Sequence, residues 1–404
     1  MDFGAKMNTV GIICEYNPFH TGHLHQIKSV KDKLPDACIV SLMSGEFVQR
    51  GGVAVIDKHT RAKTAVQNSS DLCIQLPAFY STQVAEIFAR GAVKTLDEMG
   101  IVNFIHFGSE SGDIDQLRKN AKKIIEFEKN SSDIGDALLA KNRTYVSSKS
   151  DLIDSFPDKS NDILSIEYIK AIEHFSGKMQ PLTIKRAGEN HNSERIGGEF
   201  AGSSAIRKEL FKSKDDIQIQ NTDIAKYLPK FESRDFDKKF LKFDDDFFPL
   251  IKYAILARQA DLDSIFEVVE GIENLILKES IESNNFDELI HSVKSKRYTL
   301  ARIRRIMYNI LLNIRKDNID CIKSCGFRPP YIRVLAFNDK GRTLLKKIKQ
   351  NTDLDIITKV ADYRPGSEYK RMFFEKDILA NKIYNIPKKS QYYNDYKTTP
   401  IYVR

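Results

Sequence analysis

Short apolar runs alternate along the first half of the chain with segments whose apolar positions recur every three to four residues. The apolar runs predict buried strands at Val10–Tyr16, Ala37–Ser44, Asp71–Leu76, Val102–Phe107 and Leu182–Lys185. The periodic segments between them, such as Lys58–Asn68 and Thr82–Met99, predict helices that cross from one strand to the next. This alternation is typical of βαβ units, so the sequence predicts a Rossmann-like parallel sheet of five strands.

The pattern changes after Lys214, where a linker rich in Lys, Asp and Phe leads into a second half with helical periodicity, as over Ser264–Lys278 and Thr299–Arg315. Prolines at 329 and 330 end that periodicity, and a predicted strand and a basic helix follow. We therefore expect an α/β fold in three parts. They are an N-terminal α/β domain over residues 7–213, a helical domain over 249–328, and a basic segment with a small α/β end over 329–404.

Composition narrows the class of protein. The 404 residues are 41% hydrophobic and 29% charged, which is ordinary for a globular protein. No apolar run approaches the roughly 20 residues that cross a bilayer, so no membrane association and a cytoplasmic location are predicted. The five cysteines form no C-x-x-C pair, and we expect free thiols and no metal site.

The net charge of +8 is concentrated in one region. Between Lys296 and Gln350 there are fifteen Lys or Arg residues and three acids. Such a stretch can contact the phosphates of a nucleic acid, or it can be a solvated helical surface.

The clearest chemical signal is an H-x-G-H motif directly after the first predicted strand, preceded by Asn17-Pro18-Phe19. A turn from a strand into a helix directs free backbone N–H groups toward an anion above the carboxyl end of the strand. Two imidazoles three residues apart can stabilise charge that develops on a phosphoryl group. His20 and His23 are therefore the predicted catalytic residues, with Gly22 between them.

This motif resembles the signature of the nucleotidylyltransferases and class I aminoacyl-tRNA synthetases, which bind ATP on such a sheet. A second element, Ser203-Ser204-Ala205-Ile206-Arg207, is similar to the segment that opens a late helix in nucleotidylyltransferases. The resemblance implies that Ser203, Ser204 and Arg207 face the β- and γ-phosphates of ATP.

Several further segments resemble one bacterial family, the tRNA(Met) cytidine acetate ligases. They are residues 16–23, Met43 to Gly51, Phe88 to Gly91, Phe107 to Glu110 and Ile332 to Leu335. The resemblance implies an enzyme that uses ATP, magnesium and acetate to make acetyl-adenylate. It then acetylates the N4 amine of the wobble cytidine of elongator tRNA(Met), and no protein partner is implied.

Carried over by position, the resemblance implies the residues of the ATP site, and the charge pattern adds two groups of basic residues as candidates for contact with tRNA and for a rim of the site. The predicted ATP contacts comprise Ser203, Ser204 and Arg207 with Ile13, Cys14, Glu15, Tyr16, Asn17, Pro18, Phe19, His20, Thr21, Gly22, His23, Leu24, His25, Gln26, Gly108, Asn161 and Arg186. The predicted tRNA contacts are Arg302, Arg304, Arg305, Arg333, Lys340, Arg342, Lys346 and Lys347. Arg50, Lys58, Arg61 and Lys63 are candidates for a basic rim of the site.

Two other functions remain open from the residues alone. The chain can be an adenylyltransferase that makes a nucleotide cofactor from a phosphorylated small molecule, although the basic helical half is then unexplained. It can also be an RNA-binding module with a regulatory nucleotide site, although the intact His20, Gly22, His23 and Ser204 argue against that.

Overall fold

The computed structural model describes residues 8–130, 159–175, 178–186, 198, 200–212, 222–229, 231–269, 271–295 and 298–404. Its main feature is a sheet with five parallel strands at its centre, in the order β5-β2-β1-β6-β7. These strands are β1 (Thr9–Cys14), β2 (Cys38–Ser44), β5 (Leu72–Leu76), β6 (Phe104–Ser109) and β7 (Gln180–Lys185). A small antiparallel hairpin, β3 (Phe47–Val48) and β4 (Gly52–Val53), follows β2. The predicted α/β class and the five parallel strands are confirmed.

Helices connect the strands and form most of the second half of the described chain. In the first half they are α1 (Thr21–Lys33), α2 (Lys58–Gln67), α3 (Ala78–Ser81), α4 (Ala85–Glu98), α5 (Ile114–Asn130), α6 (Ser160–Phe175) and α7 (Ser203–Lys212). Those that follow are α8 (Asp244–Ala257), α9 (Ile272–Glu282), α10 (Phe286–Val293), α11 (Leu300–Leu312), α12 (Lys316–Ser324), α13 (Asp339–Asn351) and α14 (Glu368–Tyr384). Four 3₁₀ turns add Ala225–Tyr227, Ser233–Phe236, Leu262–Ser264 and Val360–Asp362.

The C-terminal part of the chain extends the same sheet. Strand β8 (Ile332–Phe337) pairs antiparallel with β5, and β9 (Ile356–Ile357) and β10 (Ile401–Tyr402) pair parallel with β8. The strand at Tyr331–Phe337 was predicted, but its place beside β5 was not. The division into residues 7–213, 249–328 and 329–404 stays a prediction, and the last of these segments shares its sheet with the first.

Backbone conformation explains where predicted elements end. Strand β1 stops at Cys14 because Tyr16 has a φ of 47°, which an extended strand excludes. The helix predicted from Ser264 was wrong at its start: α9 begins at Ile272, after Gly271 with a φ of 78°. The polar pattern of Asp113–Asp158 also predicts helix, and residues 131–158 of that stretch lie outside the described residues.

Candidate functional site

The H-x-G-H motif forms the start of helix α1 and folds as a capping box. His20 is the N-cap residue, and its Nδ1 accepts a hydrogen bond from the backbone N–H of Gly22 at 3.1 Å. His23 is the third helical residue, and its Nδ1 accepts from the backbone N–H of His20 at 3.3 Å. The spacing of the motif is therefore that of a capping box in which imidazoles replace the usual Ser and Glu.

These two hydrogen bonds determine which ring nitrogen can donate. Since a backbone N–H only donates, each Nδ1 is unprotonated, and a neutral imidazole then carries its proton on Nε2. A Cβ atom at Gly22 would lie 2.9 Å from Cε1 of His20, so a glycine is needed for the ring to fold back over the helix start. The motif thus presents two Nε2–H donors at the start of α1, where the backbone N–H groups of Gly22, His23 and Leu24 are already hydrogen-bonded to His20.

His23 is neutral at physiological pH. Burial, the neighbouring His20 and the cationic Arg186 together hold the pKa of His23 well below 6.5. The rings of His20 and His23 are 3.8 Å apart between centroids. A neutral His23 can donate from Nε2 without adding a second positive charge beside His20.

The start of helix α7 meets the start of α1. Nε2 of His20 lies 3.0 Å from Oγ of Ser203. Arg207, one turn further along α7, donates to the carbonyl of Asn17 at 2.8 Å and to Oγ of Ser204 at 3.2 Å. Two helix N-termini, two hydroxyls and a guanidinium therefore converge, and such a donor set suits a polyphosphate.

The ends of the adjacent strands β6 and β7 form the next part of the site. A Cβ atom on Gly108 would lie 3.1 Å from Cγ of Arg186, so the arginine side chain crosses the strand where the glycine leaves room. Asn161 is held by Glu110, whose Oε1 accepts from Nδ2 of Asn161 at 2.5 Å. The structure thus brings Gly108, Asn161 and Arg186 to the same edge of the sheet as His20, as the ATP-site prediction requires.

The remaining predicted ATP contacts divide into buried and accessible residues. The side chains of Cys14, Tyr16, Asn17, Pro18 and Phe19 are buried. Ile13, Glu15, Thr21, Leu24, His25 and Gln26 are half-buried. Gln26 donates to the carbonyl of His106 at 3.2 Å, and the ring of His25 packs 5.2 Å from that of Phe200.

Arg61 contributes to the site in a way that the sequence did not reveal. Its side chain is 1% exposed, so its prediction as a rim residue was wrong. Its Nη1 donates to the carbonyls of Glu15 at 2.5 Å and Ser44 at 3.1 Å, its Nη2 to that of Gly45, and its Nε to that of Ile56 at 2.8 Å. The guanidinium therefore holds together the segments that follow β1 and β2, and the first of these leads to His20.

Other predicted rim residues are also engaged. Lys58 is buried and forms ion pairs with Glu46 at 2.8 Å and Asp395 at 2.9 Å. Lys63 pairs with Glu232. Arg50 is exposed, and its Nη2 donates to Oγ of Ser160 at 2.8 Å, so it alone of the four remains a plausible surface contact.

Three of the predicted tRNA contacts on helix α11 are bound to acidic partners. Arg304 pairs with Asp244, and Arg305 makes two hydrogen bonds of 2.8 Å with the carboxylate of Glu267. Arg302 donates to the carbonyl of Glu267 at 3.2 Å. These arginines connect α11 to its neighbours, and their charges are largely compensated.

Arg333 is a correction to the predicted tRNA contacts. Its side chain is 2% exposed and forms an ion pair of 2.8 Å with the equally buried Asp395. A guanidinium enclosed in this way cannot reach an RNA phosphate. The apolar residues around it on β8 gave the signal, since that strand is buried on both faces.

The other predicted tRNA contacts lie on one exposed face of helix α13. Lys340, Arg342, Lys346 and Lys347 are all exposed. The helix runs along the amino-terminal edge of the sheet. Its start packs on Asp71, before β5, and Asn351 at its end packs on Gly100, before β6. This edge is opposite to the one that carries His20.

The part of the chain that the structure describes lacks both a cluster of metal ligands and a membrane-spanning helix. In it, no group of three or more His, Cys, Asp and Glu residues could hold a metal ion. Within the same residues, no helix is long and apolar enough to span a bilayer. The five cysteines are free, with Cys14, Cys38 and Cys73 buried.

Comparisons with known proteins agree with this geometry. The family model described as HIGH Nucleotidyl Transferase matches residues 7–399, so the class of protein is a nucleotidyltransferase. A tRNA(Met) cytidine acetate ligase from Thermoanaerobacter sp. (strain X514) is 40% identical over 95% of this chain and 96% of its own length. The protein of the same name from Clostridium perfringens (strain ATCC 13124) is 37% identical over 98% of this chain and 100% of its own.

Solved structures extend the similarity to three dimensions. Thermotoga maritima TmcAL in an apo form superposes with a TM-score of 0.87 at 28% identity, covering 98% of this chain and 100% of that one. The same protein bound with alpha-thio ATP superposes with a TM-score of 0.84 at 27% identity, again over 98% and 100% of the two chains. The chain therefore belongs to the HIGH nucleotidyltransferases, and within them to the tRNA(Met) cytidine acetate ligase family.

Proposed function

We propose that this protein is an ATP-dependent ligase that acetylates elongator tRNA(Met). In the first step a carboxylate oxygen of acetate attacks the α-phosphorus of ATP, which gives acetyl-adenylate and releases pyrophosphate. In the second step the N4 amine of the wobble cytidine attacks the acetyl carbonyl, which gives N4-acetylcytidine and AMP. The names of the relatives and the nucleotide bound to the T. maritima protein support this assignment.

One observation carries the proposal for the first step. The starts of α1 and α7 converge where Nε2 of His20 meets Ser203, with Arg207 alongside. Negative charge grows on the departing pyrophosphate, and preorganised N–H donors stabilise that charge without having to reorient. His23 adds a neutral donor, and Arg186 and Gly108 place the adenosine end over β6.

The donor set suits a nucleotide that brings its own magnesium ion. N–H groups, hydroxyls and guanidinium groups bind phosphate oxygens and are poor ligands for a hard cation. Magnesium would therefore be held mainly by the triphosphate, where it neutralises charge. The exposed basic face of α13 is our candidate for contact with the tRNA backbone, since Lys340, Arg342, Lys346 and Lys347 are accessible there.

The test is transfer of radiolabelled acetate to bulk tRNA that lacks the modification, with and without ATP, followed by nucleoside analysis. ATP-dependent label in N4-acetylcytidine is the expected result, and His20→Ala should abolish it. His291→Ala is the matched control, because that histidine is 55% exposed on helix α10. Pyrophosphate release with a phosphorylated small molecule, and no labelled tRNA, would favour a cofactor adenylyltransferase. RNA binding without turnover would favour a regulatory RNA-binding module.

A further inference from the structure

The segment between α14 and β10 carries exposed tyrosine rings beside exposed lysines. We call residues 385–397 the tyrosine loop. Tyr393 is 46% and Tyr396 45% exposed. The ammonium group of Lys389 lies 5.5 Å from the centroid of the Tyr393 ring, and Lys397, next to Tyr396, is exposed. Two flat apolar rings are thus open to a ligand within a basic surface.

A buried ionic cluster anchors the loop between these two rings. Asp395 is 2% exposed and forms ion pairs with Lys58 of α2 at 2.9 Å and Arg333 of β8 at 2.8 Å. Lys58 also pairs with Glu46, which follows β2. Because the side chain of Asp395 is paired with two separate elements, α2 and β8, the neighbouring rings are held in place. A ligand that binds them therefore has less conformational entropy to remove.

The tyrosine loop lies close to the segment that carries His20. Nδ2 of Asn385 donates to the carbonyl of Tyr393 at 3.3 Å. The hydroxyl of the adjacent Tyr384 donates to the carbonyl of Ala54 at 2.8 Å. Residues 53 and 55, on either side of Ala54, are both hydrogen-bonded to the side chain of Asn17, three residues before His20. The segment around Ala54 is thus hydrogen-bonded both to Tyr384, which precedes the loop, and to Asn17, which precedes the H-x-G-H motif.

Charge determines which ligand suits this surface. Residues 382–404 contain five Lys or Arg residues and one acid, and that acid, Asp395, is buried and paired. A polyanion with flat rings matches exposed tyrosines among lysines. Single-stranded RNA has that chemistry, because its bases stack on aromatic side chains while lysines contact its phosphates.

We propose that the tyrosine loop binds unstacked bases of the tRNA anticodon loop. Tyr393 and Tyr396 stack on bases that flank the reacting cytidine, and Lys389 and Lys397 contact the phosphates between them. The inference rests on the proposed function, because it names the surface through which the same site receives its RNA substrate. It also accounts for the buried Lys58–Asp395–Arg333 cluster as the support of an RNA-binding surface.

The experiment compares the double variants Tyr393→Ala/Tyr396→Ala and Tyr393→Phe/Tyr396→Phe with the wild-type protein. Tyr253→Ala is the control, since that tyrosine is 72% exposed on helix α8. Three quantities are measured: the Kd for unmodified tRNA, the KM for tRNA in acetylation, and acetate-dependent exchange of pyrophosphate into ATP without RNA. The alanine variant should raise Kd and KM for tRNA by about tenfold for each ring and leave the exchange rate unchanged. The phenylalanine variant should behave as the wild type, because stacking needs the ring and not the hydroxyl.

An alanine variant with wild-type Kd and KM for tRNA would overturn the inference, as would an equal loss of tRNA affinity in the Tyr253→Ala control. Failure of the proposed function is a different result. In that case the wild-type protein transfers no acetate to tRNA, and the Kd measurement still decides whether the tyrosine loop binds RNA.

Discussion

Nε2 of His20 and Oγ of Ser203 are 3.0 Å apart, although 183 residues separate them in the sequence. Each group stands at the start of a helix, and both face the same volume, into which the dipoles of α1 and α7 also point. A phosphate oxygen placed there would accept from the imidazole and the hydroxyl together. This contact joins the two sequence motifs into one anion site.

The first prediction separates the chemical role of His20 from its role as a helix cap. Asparagine caps helices well but lacks a donor at the position of Nε2. We expect His20→Asn to retain the wild-type melting temperature and to lower the rate of acetate-dependent ATP–pyrophosphate exchange by about 100- to 1,000-fold. Ser203→Ala should have a smaller effect, mainly on the KM for ATP. Exchange at the wild-type rate in His20→Asn would exclude the imidazole from the chemical step.

The second prediction concerns Arg61, whose four backbone acceptors lie in the segments after β1, β2 and β4. Lysine keeps the charge but has three donors on one nitrogen, and its amine cannot span these carbonyls. Arg61→Lys should lower the free energy of unfolding by about 2–3 kcal/mol and raise the KM for ATP. Urea unfolding and exchange kinetics measure the two effects, with Arg364→Lys as the control, since that arginine is exposed and donates to backbone carbonyls far from the site. An unchanged KM would mean that Arg61 supports the fold alone.

The sequence was sufficient for the parts of the site that depend on local signals. The H-x-G-H motif lies where a strand meets a helix, and its spacing is itself the spacing of a capping box, so His20 and His23 could be found directly. Ser203 and Arg207 could be identified only through the resemblance to nucleotidylyltransferases, because Ser-Ser followed by Ile-Arg is a common helix start. Arg61 was predicted as a rim residue, but its buried role could not be predicted, since a buried arginine and a solvated one look alike on a polar helix such as α2.

The third prediction is a pH dependence of stability from His106. Burial, with a smaller contribution from Lys33, lowers the pKa of His106 to about 4 in the folded protein. The unfolded chain takes up the proton near pH 6.5, so the contribution of His106 to stability is complete above that pH and is lost as the pH falls toward 4. The expected loss across this window is roughly 3 kcal/mol.

Urea unfolding of the wild type and His106→Phe at pH 7, 5.5 and 4.5 measures this contribution. The variant should lose less stability than the wild type on acidification, because phenylalanine has no proton to take up. His291→Ala provides the comparison with a surface histidine. Parallel pH profiles for the wild type and His106→Phe would show that His106 titrates normally in the folded chain.

The fourth prediction compares a buried ion pair with an exposed one. Asp395 is held between Lys58 and Arg333, and these cations keep its pKa well below 3.8 despite burial. Asp395→Asn leaves both cations buried with less counter-charge and should lower the free energy of unfolding by about 3–5 kcal/mol. Asp353→Asn removes the exposed partner of Arg328 and should have no measurable effect on stability. Similar effects of the two substitutions on the free energy of unfolding would contradict the burial of Asp395.

The position of the basic C-terminal region in the fold could not be predicted from the sequence. The charge density between Lys296 and Gln350 was evident, but its distribution in space was not. Arg333 is buried because β8 joins the sheet beside β5. The apolar residues around it indicated a buried strand, but its pairing partner could not be predicted from periodicity. Helix α13 was predicted correctly as a basic helix, yet only the contacts of Gly341 with Asp71 and of Asn351 with Gly100 place it at the amino-terminal edge.

That placement leads to the fifth prediction, which concerns how far the tRNA extends over the protein. Strand β2 has seven residues, so the edge with α13 is about 23 Å from the edge with His20. If the RNA backbone runs over both edges, the double variant Lys346→Gln/Lys347→Gln should weaken tRNA binding. It should also reduce the slope of log Kd against log salt concentration by about 0.9 for each lost phosphate contact. Pyrophosphate exchange without RNA should be unaffected, because α13 does not touch the nucleotide site.

Lys278→Gln, at a lysine 75% exposed on helix α9, is the control. Unchanged affinity in both variants would confine the RNA to the carboxyl edge, where the tyrosine loop lies, and would leave the charge of α13 a solvated surface.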